Sequence, residues 1–352
     1  MSTLPRTAPG ASKPGPHVCS SPQDLLIDNV YFDLSKDLKL PVVVKCEGLN
    51  LAGSVKLKAA RGMLNYALAH GELEPGGSFI ESSSGSLGVA LAMLAANLNL
   101  RFTCVTDSRC NSVTLGSLRA YGAEVVVITE PHPRDGLLGA RLQYVAERLA
   151  TDPDMVWLNQ YANRHNPDAH HDLTGPQIAH DWPDAPFIFI GAGTTGTLTG
   201  AASYLKEIGH PGRIIAVDSV GSVTFGQPAA RRLIPGLGTG RRPQIADSSV
   251  FDELIMVPEA CTVRICRKLA RSGYLFGGST GTVLAAAEMR LGGGTASGLS
   301  VALSPDFGER YIDTIYSDNW VAENFELETT RERPYAALPL DTDSAEPLAG
   351  QA

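Results

Sequence analysis

Three short loops of this chain consist of glycines and hydroxyl residues, and a lysine precedes them. The loops cover residues 82–88, 191–197 and 277–282, and each lies at a junction between a strand-like apolar run and a helix-like segment. The first backbone N–H groups of a helix favour an anion, and glycines let the backbone approach it closely. One such loop is as often an ordinary helix N-cap. Three in one chain favour a site for a phosphorylated or carboxylated ligand.

Lys56 is the candidate reactive residue beside these anion-binding loops. It follows a turn marked by Asn50 and Gly53 and begins an amphipathic segment, which predicts a position in the first turn of a helix. The positive end of the helix dipole disfavours an ammonium there and favours an amine that is neutral or bound as an imine. A lysine at a helix start is usually only solvated, but here the three loops supply a ligand.

The loop at 191–197 also supports a different hypothesis. Its three glycines have the spacing of a dinucleotide-binding loop, and Asp218 follows at the end of the next predicted strand. The chain would then be an NAD-binding oxidoreductase. This hypothesis gives Lys56 no role, and residues 221–242 lack the regular β-α-β pattern that the second half of such a domain requires.

The segments that must position these residues alternate short apolar, β-branched runs with longer amphipathic stretches. This alternation predicts an α/β fold with mostly parallel sheets flanked by helices, in which loops at the carboxyl ends of strands form the site. A polar break over residues 162–172 suggests a crossing between two subdomains. The length of 352 residues suits two packed subdomains rather than one core.

Composition excludes several classes of function. The formal net charge of −8 and the lack of a basic block argue against binding to nucleic acid or to an anionic membrane. No apolar run reaches the roughly 20 residues that a membrane span needs. The six cysteines have no CxxC spacing, so we expect no metal site and a reducing, cytoplasmic environment.

Taken in order, the motifs resemble those of the cysteine synthase and cystathionine β-synthase family, the fold type II enzymes of pyridoxal 5′-phosphate (PLP). The matching segments are 53–56 for the Schiff-base lysine, 83–88 for the substrate carboxylate, 193–197 for the cofactor phosphate and 278–281 for the pyridine nitrogen, joined by Gln160 and residues 174–176, which line the site. The resemblance covers roughly residues 25 to 318, nearly the whole of the chain that we expect to fold.

The resemblance implies a tryptophan synthase β-like architecture and a homodimer that acts on small amino acids. It implies a large PLP-binding subdomain from residues 23–60 and 165–330 and a small mobile subdomain from 61–164. Residues 1–22 and 331–352 are poor in apolar side chains and are predicted to be a disordered arm and tail.

The family's roles map onto this sequence residue by residue. Lys56 would hold the cofactor and act as the general base that removes and returns the α-proton, in a β-replacement that passes through an aminoacrylate. The implied cofactor-binding residues are Lys56, Ser86, Gly193, Thr194, Thr195, Gly196, Thr197 and Ser279, and the implied substrate-binding residues are Ser83, Ser84, Gly85 and Gln160.

Within the family, residues 45–50, 218–226 and 231–238 look closest to the branch of N-(2-amino-2-carboxyethyl)-L-glutamate synthases. That branch supplies 2,3-diaminopropionate to siderophore and peptide-antibiotic pathways. It implies O-phospho-L-serine as electrophile and the amine of L-glutamate as nucleophile. Because a phosphate leaving group needs cations, Arg231 and Arg232 become candidate phosphate-binding residues. Surface arginines are the alternative interpretation.

Some residues depart from the family pattern or leave alternatives open. Ser86 and Leu87 stand where the family usually has Asn and Thr, which leaves a catalytically silent interaction protein as one alternative. A cysteine synthase that uses acetylserine or phosphoserine with sulfide is another. Asp306 is expected to be a structural acid, and His170 and its neighbour His171 are expected to be surface or cap residues.

Overall fold

A computed structural model describes residues 18–293 and 298–325 of the chain. The predicted tail at 331–352 and the predicted arm, apart from its residues 18–22, lie outside the described residues. In chain order the helices and strands are β1 (Tyr31–Asp33), α1 (Ser35–Leu38), β2 (Val42–Cys46), α2 (Lys56–Ala69), β3 (Ser78–Ser82), α3 (Ser86–Leu98), β4 (Arg101–Asp107), α4 (Ser112–Ala120), β5 (Glu124–Ile128), α5 (Gly136–Thr151), β6 (Val156–Trp157), α6 (His165–Asp172), α7 (Thr174–Asp181), β7 (Phe187–Gly191), α8 (Gly196–Glu207), β8 (Arg213–Ser219), β9 (Glu253–Val257), α9 (Glu259–Ala270), α10 (Gly278–Leu291), β10 (Ser300–Ser304) and α11 (Asp318–Asn324), with short 3-10 helices at Pro22–Asp24 and Gly308–Tyr311.

The strands form two sheets. The larger sheet has the order β1-β2-β10-β7-β8-β9, and only its β1–β2 pair is antiparallel. The smaller sheet has the order β5-β4-β3-β6 and is parallel throughout. The predicted α/β fold with mostly parallel sheets is therefore confirmed. The larger sheet takes strands from both ends of the described chain, whereas β3 to β6 are consecutive. The boundaries at 23–60, 61–164 and 165–330, and the mobility of the small part, stay predictions.

Strand register brings the loops of interest to one edge of the larger sheet. Ser304 at the end of β10 pairs with Cys46 at the end of β2, and Gly191 at the end of β7 pairs with Val217 in β8. The turn before Lys56, the segment after β10 and the loop after β7 therefore leave the sheet on the same side. This is the carboxyl edge, where parallel sheets bind their ligands.

Both sheets are covered on both faces. Every residue of β2 and of β3 is buried, as expected for strands of sheets that are covered on both faces, although Lys45 in β2 and Glu81 in β3 are charged. Helices α3 and α10 are buried along most of their length because their small and apolar residues pack on all sides. None of the described helices is both long enough and apolar enough to cross a bilayer.

The polar break predicted over residues 162–172 is mostly helix. Helix α6 occupies His165–Asp172, and its buried side chains are Asn166, Ala169 and His170. Apolar residues at helical spacing would have predicted such a helix from the sequence, but two of its three buried positions are polar. Their nitrogens find partners inside the protein, since Asn166 Nδ2 donates to the carbonyl of Gln160 at 2.8 Å and the ring nitrogens of His170 lie 3.0 Å and 3.2 Å from two threonine hydroxyls.

A buried ion-pair cluster joins β2 to α2. The carboxylate of Glu47 lies 2.9 Å from Lys45 Nζ and 2.8 Å from Lys58 Nζ, and at most 1 % of any of these side chains is exposed. Burial opposes ionisation of this acid, but the charges of Lys58 and Lys45 outweigh it and lower the pKa of Glu47 from 4.5 to about 2. The cluster fixes the start of α2 against the edge of the sheet.

We expect Glu47→Gln to lower the free energy of unfolding by about 3–5 kcal/mol at pH 7, because it removes the buried carboxylate that two buried ammonium groups share. Urea denaturation of the cofactor-loaded protein measures this. An acid whose pKa is lower in the folded than in the unfolded protein stabilises the fold at pH values above its unfolded pKa. This stabilisation is lost as the pH falls through the folded pKa. The difference between wild type and variant should therefore shrink as the pH falls from about 4.5 towards 2.

The matched control is Asp168→Asn, which removes an exposed pair with Arg164 at 3.2 Å. It should cost less than about 1 kcal/mol, because exposed ion pairs contribute little. Equal losses in the two variants would contradict the assignment of Glu47 as the anion that holds the cluster.

Candidate active site

The turn predicted before Lys56 is held by one asparagine side chain. The Nδ2 group of Asn50 donates to the carbonyl oxygens of Glu47 at 3.0 Å and Ser54 at 2.9 Å. Gly53 lies in the left-handed region with φ 67°, which a residue with a Cβ rarely adopts. The turn delivers Lys56 as the first residue of α2, as predicted. Its side chain is only partly exposed.

Lys56 faces a buried acid. Burial lowers the pKa of Lys56, and the carboxylate of Asp306 partly opposes this shift. Burial also raises the pKa of Asp306 to about 6, while the hydroxyl of Tyr311 donates to Asp306 Oδ2 at 2.9 Å. Its Oδ1 is buried without a hydrogen-bond partner in the described part of the chain. Asp306 was expected only as a structural acid, and its influence on the lysine was not predicted.

The loop after β7 fits its environment only because of its glycines. A Cβ on Gly193 would lie 2.7 Å from the carbonyl oxygen of Gly236, and a Cβ on Gly196 would lie 1.9 Å from Asn166 Oδ1. Thr195 precedes α8 with a left-handed φ of 69°. The loop therefore turns sharply and presents the first backbone N–H groups of α8 at the carboxyl edge of the sheet.

This loop has the donors that a phosphate group requires. A phosphate carries acceptor oxygens, so it needs N–H and O–H donors around it. The hydroxyl of Thr195 is buried and has no partner among residues 18–293 and 298–325. Within the described part of the chain, the hydroxyl of Thr194 has one hydrogen-bond partner, Asn166 Nδ2 at 3.5 Å, and that of Thr197 has one, a ring nitrogen of His170. The residues present thus fit a cofactor phosphate.

Ser279 lies in the first turn of α10, and 4 % of it is exposed. A Cβ on Gly236 would lie 2.2 Å from Ser279 Oγ, so the backbone at Gly236 closes directly over this hydroxyl. None of the hydrogen bonds described in the structure involves this hydroxyl. A neutral, unpaired hydroxyl in this position is compatible with an aromatic nitrogen as its partner.

The loop after β3 is tied back onto itself by Ser83. Its Oγ accepts hydrogen bonds from the backbone N–H groups of Gly85 at 3.4 Å and Gly88 at 2.9 Å, which leaves its own hydrogen to donate. Gln160 donates from Nε2 to the carbonyl of Ser82 at 2.8 Å. An amide nitrogen has a second hydrogen. The predicted carboxylate-binding groups therefore lie together and keep donors available.

Ser86 has a cationic partner that the sequence did not reveal. Arg310 donates from Nη1 to Ser86 Oγ at 2.8 Å and from Nη2 to the carbonyl of Ala52 at 2.9 Å. The neighbouring Leu87 is 3 % exposed and belongs to the core of the smaller sheet, which accounts for an apolar residue there. Ser84 is half-buried in the same loop.

The two arginines proposed for a leaving phosphate differ in environment. Arg231 is exposed, whereas Arg232 is half-buried and donates to the carbonyl of Leu237 at 2.8 Å. Burial lowers the pKa of Arg232, and the carboxylates of Asp218 and Glu259 counter this shift. Arg232 thus supports the segment that covers Ser279, and a contact with substrate phosphate stays a prediction for both residues.

Asp218 cannot play the part that a dinucleotide requires. Its side chain is fully buried, and it accepts a hydrogen bond from the backbone of Ser219 at 2.7 Å. Burial raises the pKa of Asp218 to about 6, and a hydrogen bond from Ser222 partly offsets the rise. A ribose would need this carboxylate at the surface of a crevice.

A second buried cluster lies behind the loop after β3. Burial raises the pKa of Glu81 to about 7, and Arg141 Nε lies 3.1 Å from Asp107 Oδ2. Desolvation raises the pKa of the half-buried Tyr161, and the charge of Arg141 partly opposes this rise. The only sequence signal for Arg141 was its spacing of one helical turn from the core residue Val145 in α5. No group of three or more His, Cys, Asp or Glu within the described ranges could hold a metal ion.

The two neighbouring histidines have opposite environments. His171 is a surface residue, as expected, and lies 2.9 Å from Glu207. The expectation of a surface position is wrong for His170, which is fully buried. Burial, with the charge of Lys58, lowers the pKa of His170 to about 3, so it is neutral at ordinary pH.

Comparisons with known proteins agree with this geometry. The pattern of the family described as pyridoxal-phosphate dependent enzymes matches residues 31–306. The chain belongs to this family. Its cofactor is therefore PLP, and the NAD hypothesis is set aside, in agreement with the buried position of Asp218.

Named relatives narrow the comparison. The N-(2-amino-2-carboxyethyl)-L-glutamate synthase of Ralstonia nicotianae is 40 % identical over 287 residues, which are 81 % of this chain and 85 % of that protein. The enzyme of the same name from Cupriavidus metallidurans is 39 % identical over 304 residues, covering 85 % and 88 %. A solved cysteine synthase from Entamoeba histolytica is 26 % identical, covers 88 % of this chain and 94 % of its own, and has a TM-score of 0.77. The predicted cysteine synthase-like fold is confirmed.

We expect borohydride reduction of the holoenzyme to attach the cofactor to the peptide that contains Lys56, because its partly buried amine has a lowered pKa and lies at the carboxyl edge of the sheet. Mass spectrometry of the digest locates the adduct, and Lys56→Ala should lose it together with the visible absorption band. Lys58 is a built-in control two residues away, since its ammonium is held by Glu47. An adduct on Lys58 would contradict the assignment.

Proposed function

We propose that this enzyme joins O-phospho-L-serine to L-glutamate and forms N-(2-amino-2-carboxyethyl)-L-glutamate with release of inorganic phosphate. The observation that carries the proposal is the identity of about 40 % with two synthases of that name over most of both chains. The site supports it, because contacts join the parts that such a β-replacement needs. The backbone of Gly236 lies against both Gly193 and Ser279, and Arg310 joins Ser86 to the turn before the lysine.

The cofactor, when bound, withdraws electrons from the α-carbon of an attached amino acid, and the side chains of this chain do the rest. Lys56 removes the proton at the α-carbon and returns it after the new C–N bond has formed. Burial lowers the pKa of Lys56, which favours the neutral amine that can accept a proton. The carboxylate of Asp306 opposes this shift and favours the protonated amine.

The remaining roles follow from the donors that each loop keeps available. Thr194, Thr195 and Thr197 hold the cofactor phosphate together with the backbone at Gly193 and Gly196, and Ser279 meets the pyridine nitrogen. Because Ser279 is neutral, it does not force a proton onto that nitrogen. The substrate carboxylate is bound by Ser83, Ser84, Gly85 and Gln160. Ser86 donates its free hydrogen to the phenolic oxygen of the cofactor while Arg310 occupies its lone pair.

A cysteine synthase activity is the second candidate, since a solved enzyme of that name shares the fold. The two candidates differ in the nucleophile, sulfide or the glutamate amine, and in the leaving group. A silent interaction protein would keep the cofactor but turn over neither donor. Turnover rates measured with each activated serine, O-phospho-L-serine or O-acetyl-L-serine, and each nucleophile, L-glutamate or sulfide, distinguish all three.

We further propose that the enzyme is a cytoplasmic homodimer whose part 61–164 moves relative to 23–60 and 165–330. Five of its cysteines are buried free thiols, which suits a reducing compartment. Arg310 spans the two parts, because it bonds to Ser86 at the start of α3 and to Ala52 before α2. Light scattering of the purified protein tests the dimer.

We expect phosphoserine to change the visible absorption band of the holoenzyme, and L-glutamate to restore it with release of one phosphate per product. The reason is that loss of the β-substituent alters the conjugated system, and addition of an amine reverses this. Stopped-flow spectroscopy and mass spectrometry measure the two steps. A parallel cell holds O-acetyl-L-serine with sulfide. A response to acetylserine alone would assign the chain to the cysteine synthases.

Arg231→Ala should reduce kcat/KM for phosphoserine about tenfold or more while leaving that for acetylserine nearly unchanged, because a guanidinium–phosphate bond is charge-assisted. Arg232→Ala is also expected to lower the ratio of kcat/KM for phosphoserine to kcat/KM for acetylserine. That variant also loses its bond to the Leu237 carbonyl, so both rates drop somewhat. Steady-state kinetics with both donors give the ratio, and equal losses for the two donors would remove the arginines from the leaving-group site.

A further inference from the structure

A line of hydrogen bonds runs from the buried ion-pair cluster to the first turn of α8. Lys58 Nζ donates to Thr174 Oγ1 at 3.2 Å, Thr174 Oγ1 lies 3.0 Å from His170 Nδ1, and His170 Nε2 lies 3.2 Å from Thr197 Oγ1. The first three residues are at most 1 % exposed. Thr197 is only half-buried and belongs to the loop that we assign to the cofactor phosphate.

The ammonium of Lys58 fixes which atoms donate and which accept in the hydrogen bonds of this line. An ammonium has three hydrogens and accepts none, and Lys58 has three acceptors, Glu47 at 2.8 Å, Thr174 at 3.2 Å and Asp28 at 3.4 Å. The oxygen of Thr174 must therefore accept. Its own hydrogen then needs an acceptor, and His170 Nδ1 is the only one that the described hydrogen bonds offer.

The direction of hydrogen-bond donation continues through the imidazole ring of His170. A neutral imidazole carries one hydrogen, so a ring that accepts at Nδ1 donates from Nε2. His170 therefore donates to the oxygen of Thr197, and the hydrogen of Thr197 remains free. The opposite direction would leave the hydrogen of Thr174 buried without an acceptor, which is unfavourable. Burial and the charge of Lys58 keep the pKa of His170 at about 3, so the ring stays neutral.

We propose that Lys58 and His170 are positioning residues that turn the hydroxyl hydrogen of Thr197 towards the phosphate of the bound cofactor. Phosphate oxygens accept hydrogen bonds and donate none, so this hydroxyl helps only with its hydrogen outward. The proposal rests on the assignment of residues 193–197 to the cofactor phosphate. It does not depend on which amino acids the enzyme joins.

The tautomer of His170 is the direct test. ¹⁵N-labelled holoenzyme should show a protonated Nε2 and an unprotonated Nδ1 for His170, assigned by the loss of these signals in His170→Gln. The ring should keep this tautomer across the range of pH in which the exposed His171 titrates. A proton on Nδ1 would reverse the direction of the line and overturn the proposal.

The cofactor phosphate gives a second, independent readout. Thr197→Val removes the last hydroxyl, and His170→Phe removes both ring nitrogens while keeping a ring of similar size. Both variants should shift the ³¹P resonance of the bound cofactor and release it about tenfold faster on dilution, as expected for one charge-assisted hydrogen bond. His171→Phe is the matched control and should change neither quantity, because the described contacts of that side chain are with Asp172, Glu207 and the ring of Tyr204, and none is with the line of hydrogen bonds.

The two variants distinguish a wrong phosphate site from a wrong positioning role. An unchanged ³¹P resonance in Thr197→Val would mean that the phosphate does not lie at residues 193–197, and the site assignment would fail with the proposal. A change in Thr197→Val without one in His170→Phe would keep the site and overturn the positioning role. His170→Gln offers an amide donor near Nε2, so partial recovery relative to His170→Phe supports donation from that nitrogen.

Discussion

The constraint on which the site depends is that Glu47 must stay ionised inside the protein. A buried carboxylate is tolerated only when cations and hydrogen bonds replace its lost hydration, and here Lys45 and Lys58 supply both. The requirement links the end of β2 to the second residue after Lys56. It therefore locates the amine of Lys56, our proposed general base, relative to the sheet. It also leaves the third hydrogen of the Lys58 ammonium to begin the line of bonds that ends at Thr197.

The sequence predicted those parts of the site that depend on residues close to one another in the chain. The turn before Lys56 and the loop after β7 follow strands of the same parallel sheet, so their positions at its carboxyl edge follow from the order of the segments. The loop after β3 belongs to the smaller sheet, and residues 277–282 follow helix α9 instead of a strand, so their place in the site depends on tertiary packing. The position of Lys56 in the first turn of α2 followed from the turn before it. Local patterns carry this information because strand ends and helix starts are decided by neighbours in the chain.

The parts that could not be predicted depend on partners far apart in sequence. Thr174 is 116 positions from Lys58, and Arg310 is 224 positions from Ser86. No spacing rule reaches across such distances. Helix α6 was missed for a related reason, because its buried face carries Asn166 and His170. Such residues read as solvent-facing until the hydrogen-bond partners that make their burial favourable are known.

The same rule governs the hydroxyls at both ends of the site. A serine or threonine hydroxyl can donate in several directions, and it becomes a dependable donor only when its lone pair is occupied by a group that cannot accept. Arg310 does this for Ser86 directly, and Lys58 does it for Thr197 through Thr174 and His170. An asparagine, usual in the family where Ser86 stands, brings its own fixed N–H donor and needs no such help. A serine there is therefore chemically reasonable only together with the cation beside it, so the departure at Ser86 and the position of Arg310 are one feature of the chain and not two.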